Sequence, residues 1–472
     1  MPAPSSLGPT TTRSGPVTGR ADGDVIRYLG IPYATAARGE PPVPARPARG
    51  SDGEALVLAA VRPAPACPQP SSRILDTLMR GALAGVARSE DCQRLSLTLP
   101  ADLRPGETLP VIVWFHGGGY TTGAGDLPIH DPRALVVEQR VIVVAVTARL
   151  GLLGFGGGGS GGRRPHDGPP ANLGLLDQLE ALRWVRDSIA AFGGDPGQVT
   201  AMGQSAGGDA ILHLMISDGA RGLFRRAIVQ SPPVGITAGR ERMFRAMART
   251  TRALAADAPL ADVMRRQARA ERASWASGIR AGLPWGPRYG HAPLPAEADR
   301  ESAWAAVAPD VDLLIGTTRD ETAMYLPALP VVAPLLRVPV VGRALRAVLM
   351  RAVVRPTTRL VYTRPVTAFA ARHRAAGGRA VRYVLRAAPA SSPIGAGHTS
   401  DVPLVLGTRE AWTSMDLVGT AAWPEVAERG RAVRRVWADF ARTGGVAADV
   451  DARACGMRFD RGGRRSSSAD LG

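Results

Sequence analysis

Lysine is absent from this 472-residue chain; all 58 of its basic residues are arginine, and with 41 acidic residues the formal net charge is +17. The arginines are scattered along the sequence and aromatic residues make up only 5%. Neither a phosphate-tracking stripe nor a set of base-stacking platforms can be built from that pattern, which speaks against a nucleic-acid partner. Three cysteines are too few for a disulfide framework in a chain of this length. No apolar run approaches the roughly 20 uncharged residues that a membrane span requires. The opening MPAPSSLGPTTTRSG has no apolar core of the kind a secretory signal needs, so the expected location is cytoplasmic, with a secreted protein as the alternative if a leader was removed.

What is present points to a large α/β fold. Apolar runs bounded by glycine and proline alternate with amphipathic stretches, the pattern of strands and crossover helices in a mostly parallel sheet. Val111 to Phe115 and Val141 to Val146 are continuous β-branched runs, as strands buried on both faces require; Gln198 to Met202, Ile228–Val229 and Leu313 to Gly316 read as further strands. Leu175 to Phe192 repeats apolar residues at three and four spacing and is stopped by Gly193-Gly194-Asp195-Pro196, so it is a predicted helix, as is Ala206 to Met215. The division expected is a single domain over residues 16–460, with mobile tails at 1–15 and 461–472. A helical cap is expected around 332–373. The stretch from Val332 to Val354 is apolar but carries Arg337, Arg343, Arg346 and Arg351, which suits an amphipathic helix packed on the core more than one docked on a membrane surface. The Gly/Arg-rich run from Gly156 to Pro170 reads as a loop.

Gly203-Gln204-Ser205-Ala206-Gly207 matches G-x-S-x-G between a predicted strand and a predicted helix, the context of a nucleophile elbow. Ser205 is the candidate nucleophile. His116-Gly117-Gly118-Gly119 follows the Val111 strand directly, where successive backbone N–H groups free of side chains can surround a developing oxyanion. In such hydrolases the acid and then the histidine follow the serine in the chain. His116, His130, His166 and His213 are therefore poor bases, which leaves His291, His373 and His398; His398, in a glycine-containing loop before an apolar run, is preferred. For the acid, Asp320 and Glu321 both follow the Leu313 strand at its carboxyl end, and spacing does not choose between them. Tyr120 and Trp285 are candidates for the substrate pocket. No cysteine or histidine cluster has metal-ligand spacing, so neither a metal nor an organic cofactor is expected.

Taken in order, LGIPYA (29–34), SEDC (89–92), PVIVWFHGGGY (110–120), RLGLLGF (149–155), the block from Asn172 to Gly208, GLFRRAIVQS (222–231), IGTTRDE (315–321) and GAGHTSDVPLVLG (395–407) resemble the type B carboxylesterases of the α/β-hydrolase fold, which include para-nitrobenzyl esterases and cholinesterases. The resemblance implies a serine esterase acting through an acyl-enzyme on small to medium esters, with Ser205 as nucleophile, Glu321 rather than Asp320 as acid, and His398 as base. By the same likeness the N–H groups of Gly118, Gly119 and Ala206 form the oxyanion hole, and Glu90 and Asp91 are structural ion-pair formers. It also implies a possible disulfide between Cys67 and Cys92. Thr147-Ala148 and Gln230-Ser231-Pro232 depart from the family's usual residues. Two other readings remain: a catalytically silent binding module on the same fold, and an esterase or amidase like the hormone-sensitive lipases, which share the HGGG and GxSAGG elements but lack SEDC and the GLLDQ block.

Overall fold

The computed structural model describes residues 8–71, 79, 81–158, 170–251, 257–329, 331–336, 338–389, 392–418 and 422–462. Its frame is a ten-stranded mixed sheet. In chain order the strands are β1 (Arg20–Asp22), β2 (Val25–Pro32), β3 (Arg94–Pro100), β4 (Leu109–Phe115), β5 (Ile142–Thr147), β6 (Gly194–Gln204), β7 (Arg226–Gln230), β8 (Asp312–Thr318), β9 (Ala380–Leu385) and β10 (Met457–Asp460). Their spatial order is β10-β9-β8-β7-β6-β4-β5-β3-β2-β1. The six strands from β9 to β5 are mutually parallel, and antiparallel strands flank them on both sides.

Side chains alternate faces along a strand, and this sheet separates two cores accordingly. Val111, Val113 and Phe115 of β4 join Val144 and Ile315 in one core. Ile112 and Trp114 join Val143, Met202 and Leu314 in the other. The first core is covered by α1 (Leu173–Ser188) and α2 (Ala206–Met215), and the second by α6 (Trp423–Thr443). Between them in sequence lie α3 (Leu260–Ser274), α4 (Pro339–Leu349) and α5 (Arg364–Ala375). α1 passes into a short 3-10 turn that closes at Gly193 with φ 77°, the left-handed stop that its glycine pair predicts.

α4 and α5 are halves of one helical run. Two π-helical turns, Met350–Val354 and Arg359–Thr363, lie between them, just ahead of Pro356 and Pro365. A proline lacks the N–H that would bond back along the helix and crowds the carbonyl four residues earlier, and a wider turn relieves both demands.

The strand order fixes where a site can form. From β4 the chain goes to β5 on one side, and β6 then lies on the other side of β4. Loops leaving the carboxyl ends of β4 and β6 therefore diverge and leave a crevice between them, as at any switch point of a parallel sheet.

The expected tail at 1–15 is corrected in part. Thr10–Thr12 pairs antiparallel with Gly15–Thr18. Arg13 donates to the Tyr33 carbonyl at 3.2 Å and pairs with Glu180 and Asp187, while Trp184 donates to Ser14 at 3.0 Å. Those acids and the indole lie on α1, which a composition argument about polar residues cannot see. At the other end Arg461 donates to the Val446 carbonyl at 3.2 Å; residues 463–472, and residues 159–169 of the Gly/Arg-rich run, lie outside the described residues.

Candidate active site

β6 ends at Gln204 and the chain turns sharply at Ser205, whose φ and ψ of 57° and −121° are held before α2 begins. A non-glycine residue in this region is strained and persists only if its surroundings enforce it. They do: the Ser205 N–H donates to the Gln230 carbonyl of β7 at 2.8 Å, and its carbonyl accepts from Asp209 at 2.9 Å. The flanking glycines leave room for the turn. A Cβ on Gly207 would stand 2.0 Å from the Phe115 carbonyl oxygen, and one on Gly203 would stand 2.6 Å from the Gly207 carbonyl carbon.

The loop after β4 faces this turn. Gly118 adopts φ 110° and Gly119 φ 64°, and a Cβ on Gly118 would lie 2.0 Å from the Thr122 carbonyl oxygen. The N–H groups of Thr121 and Thr122 both donate to the Gly118 carbonyl at 3.0 Å, which tightens the loop. Among the described residues no acceptor takes the N–H of Gly118 or Gly119. Ala206 opens α2, where first-turn N–H groups have no partner inside the helix. Gly118, Gly119 and Ser205 line one cavity of about 400 Å³. His116 is buried with Nδ1 on the Gly117 carbonyl at 2.7 Å, and burial lowers its pKa, so it sits there as a neutral ring.

The adjacent carboxylates diverge. Glu321 is fully buried; its Oε1 accepts the Thr318 N–H at 2.7 Å and its Oε2 lies 2.5 Å from His398 Nδ1. Asp320 points the other way, taking the Arg319 guanidinium at 2.7 and 2.9 Å. The His398 ring lines the cavity with Ser205. With Nδ1–H given to Glu321, the Nε2 lone pair is the free basic position. It accepts from the Gln204 side-chain amide at 3.1 Å, and no hydrogen bond joins it to the Ser205 hydroxyl among the described residues. Catalytic contacts of this kind often align only once substrate is bound.

Three other histidines are held in structural contacts. His130 stacks near His116, and burial, then the neighbouring ring, lowers its pKa to about 3. His213 bonds the Asp209 carbonyl at 2.8 Å and His373 the Val311 carbonyl at 2.9 Å.

Two pocket assignments are corrected. Tyr120 is buried with its hydroxyl on Asp209 at 2.6 Å and its ring against Phe155. Trp285 is buried and donates to Glu271 at 2.9 Å. Each polar tip needs a partner once buried: Tyr120 finds it in Asp209, away from the cavity, and Trp285 in Glu271, which lines it, so neither ring is itself among the described lining residues. Cys67 and Cys92 are likewise buried, unbridged thiols, which corrects the disulfide that the resemblance implied. They lie in contact; the hydrogen bond with Cys67, then burial, pushes the Cys92 thiol well above its usual range. The Leu150 N–H donates to Cys67 Sγ at 3.3 Å, a contact suited to a thiol in an apolar niche. Glu90 pairs with Arg38 at 2.5 Å and Asp91 with Arg94, both as ion-pair formers.

Several residues escaped the sequence reading. Gln204 was visible only as the variable position of the elbow. Asp401, three residues after His398, is fully buried behind Glu321; it accepts from Gln230 at 2.9 Å, and burial raises its carboxyl to about 6. Arg240 donates to the carbonyls of Leu283, Trp285 and Pro287 at 3.0 to 3.1 Å and clamps one wall of the cavity. No local pattern marks it.

Residues 9–332 match the Carboxylesterase family. The chain belongs to that family. A probable N-octanoylanthranilate hydrolase of Rhodococcus erythropolis is 37% identical to the esterase over 92% of this chain and 93% of its own. The para-nitrobenzyl esterase of Bacillus subtilis (strain 168) is 36% identical over 67% of this chain and 63% of its own. A solved thermophilic PNB esterase superposes with a TM-score of 0.72 at 28% identity, covering 94% of this chain and 92% of the other. The protein is a carboxylesterase of the α/β-hydrolase fold acting on small-molecule esters, which sets aside both the silent binding module and the lipase-like alternative.

Proposed function

We propose that the esterase cleaves uncharged, largely apolar esters of small to medium size through Ser205, His398 and Glu321. His398 Nε2 takes the Ser205 proton as Oγ bonds to the acyl carbon, and the ester C–O bond breaks as the alcohol leaves with that proton. Water, deprotonated by the same ring, then releases the acid. Glu321 keeps Nδ1–H in place and offsets the positive charge the ring acquires. The N–H groups of Gly118, Gly119 and Ala206 receive the oxyanion. When substrate enters, the ring exchanges its Gln204 contact for the serine hydroxyl.

The observation that carries this reading is the buried Glu321–His398 contact of 2.5 Å, its ring facing the same cavity as the strained Ser205. The cavity supports the substrate class. Its volume of about 400 Å³ and lining of Leu127, Ile129, Leu283 and Met324 suit a medium acyl chain, and no arginine is among the described lining residues. Ser205→Ala should abolish turnover of a para-nitrophenyl ester and labelling by a fluorophosphonate while leaving the circular dichroism unchanged; labelling that persists would refute the nucleophile. The Rhodococcus relative, named for an N-acyl substrate, favours a second reading in which amides of this shape are also cut. Turnover of N-octanoylanthranilate beside octanoyl phenyl ester measures that directly, and the lack of a cationic lining residue predicts that the neutral ester is preferred.

A further inference from the structure

Between Glu321 and Asp401 the sequence holds twelve arginines and no acidic residue. Arg372, Arg374, Arg379 and Arg382 reach carboxylates on other elements. Those nearer the start of the helical run do something different. Arg351, Arg355 and Arg359 are exposed, and the apolar side chains before and after them are exposed as well: Val340 at 71%, Val348 at 61% and Leu360 at 55%. Val331, just ahead of the run, is 79% exposed. The cap helix expected to pack on the core does so on one side only. Val354 is buried, and Leu349 and Met350 rest on the second core; the opposite side stays open to solvent among the described residues.

The residues that flank this face in sequence reach the catalytic cavity. Met324, Tyr325 and Tyr362 line that cavity, and Tyr325 is itself partly exposed. The segment is also tied to the acid's immediate neighbour. Thr322 hydrogen-bonds Thr357 at 2.7 Å and the Val354 carbonyl at 3.1 Å.

We propose that this face, from Val331 to Leu360, is an interfacial docking surface for bilayers rich in anionic phospholipid, and that it brings the cavity mouth to the lipid–water boundary. The charge pattern selects the occupant. Valine and leucine enter the acyl boundary while arginine stems lie along it and their guanidiniums reach the headgroup phosphates, an arrangement in which binding follows apolar area together with attraction to anionic lipid. A second copy fits poorly, because a two-fold contact would set this arginine-rich face against itself with no carboxylate of the segment to pair. No described helix is long and apolar enough to cross a membrane, so the contact is one of lying on the surface. The proposal concerns the surface alone and stands whether or not Ser205 is the nucleophile.

The test is co-sedimentation of the full chain with phosphatidylcholine vesicles, with and without phosphatidylglycerol. Binding should be at least about tenfold greater with the anionic lipid and should weaken as salt rises. Val340→Asp with Val348→Asp should lower it about tenfold, and Arg351→Gln, Arg355→Gln and Arg359→Gln together should do the same. Arg46→Gln, Arg49→Gln and Arg104→Gln, which remove the same charge elsewhere, should leave it nearly intact. Turnover of a soluble short-chain ester should be unchanged in all three variants, which reports that each has folded. Equal loss in the remote arginine variant would reduce the effect to net charge and overturn the proposal. So would equal binding to both vesicle types, or a dimer in solution that the aspartates dissociate.

Discussion

At the scale of single residues, two neighbouring carboxylates have opposite surroundings. The Asp320–Glu321 pair could not be divided by spacing, since both follow one strand end. Their burial divides them: Glu321 is enclosed with the His398 ring as its partner, whereas Asp320 pairs with Arg319. Glu321→Gln should lower kcat by about 10,000-fold by stabilising the wrong ring tautomer, while Asp320→Asn should stay within about tenfold of the parent. Steady-state kinetics on one soluble ester measures both. Gly118 allows an equally direct prediction. Its φ of 110°, and the mere 2.0 Å that would separate an added Cβ from the Thr122 oxygen, leave no room for alanine, so Gly118→Ala should displace an oxyanion donor and lower kcat about 100- to 1,000-fold. The HGGG run made this glycine visible in the sequence. The Gln204 contact with the imidazole was not visible, because a residue in the variable position of a motif acquires a role only from what folds over it.

At the scale of elements, helices and strands with a clear period were legible. β4 and β5 were read from continuous β-branched runs, and α1 from its apolar spacing and its glycine stop. The joints between elements were not, because they rest on contacts distant in sequence. Arg149 and Asp177 form a buried pair at 2.7 Å that fixes the loop after β5 to α1. Arg149→Met should destabilise the esterase by about 3–5 kcal/mol, because it leaves the Asp177 charge buried without compensation. The urea midpoint measures this. Tyr120 and Trp285 show the same limit from another side. An aromatic near a motif suggests a pocket wall, but a hydroxyl or indole N–H seeks a buried partner, and pairing with Asp209 and Glu271 keeps both rings out of the cavity lining.

At the scale of the whole molecule, Asp401 ties stability to pH. Burial raises its carboxyl from its ordinary 3.8 to about 6, with Gln230, Glu321 and His398 around it. Between those values the native state holds a proton that the unfolded chain has lost. Stability from this group is therefore fully present below the lower value and is lost as pH rises through the higher, on the order of 3 kcal/mol in all. Asp401→Asn should remove that dependence, so urea unfolding at pH 4 and at pH 8 should find the variant gaining on the parent at the higher pH. An unchanged difference would mean that the carboxyl is not held protonated.

The sequence by itself determined most of the parallel centre of the sheet, the two glycine-rich turns and the order in which serine, acid and histidine occur, because periodicity and glycine placement are local constraints that any fold of this chain must respect. Spacing left the choice of carboxylate to the family resemblance, and only the tertiary structure decided how Glu321 meets the imidazole, which rings face the cavity, that residues 10–15 belong to the body of the protein, and that an arginine-studded apolar helix face stays uncovered beside the site. Each of these depends on what packs against a residue from far along the chain, and burial and partnership are properties of that packing.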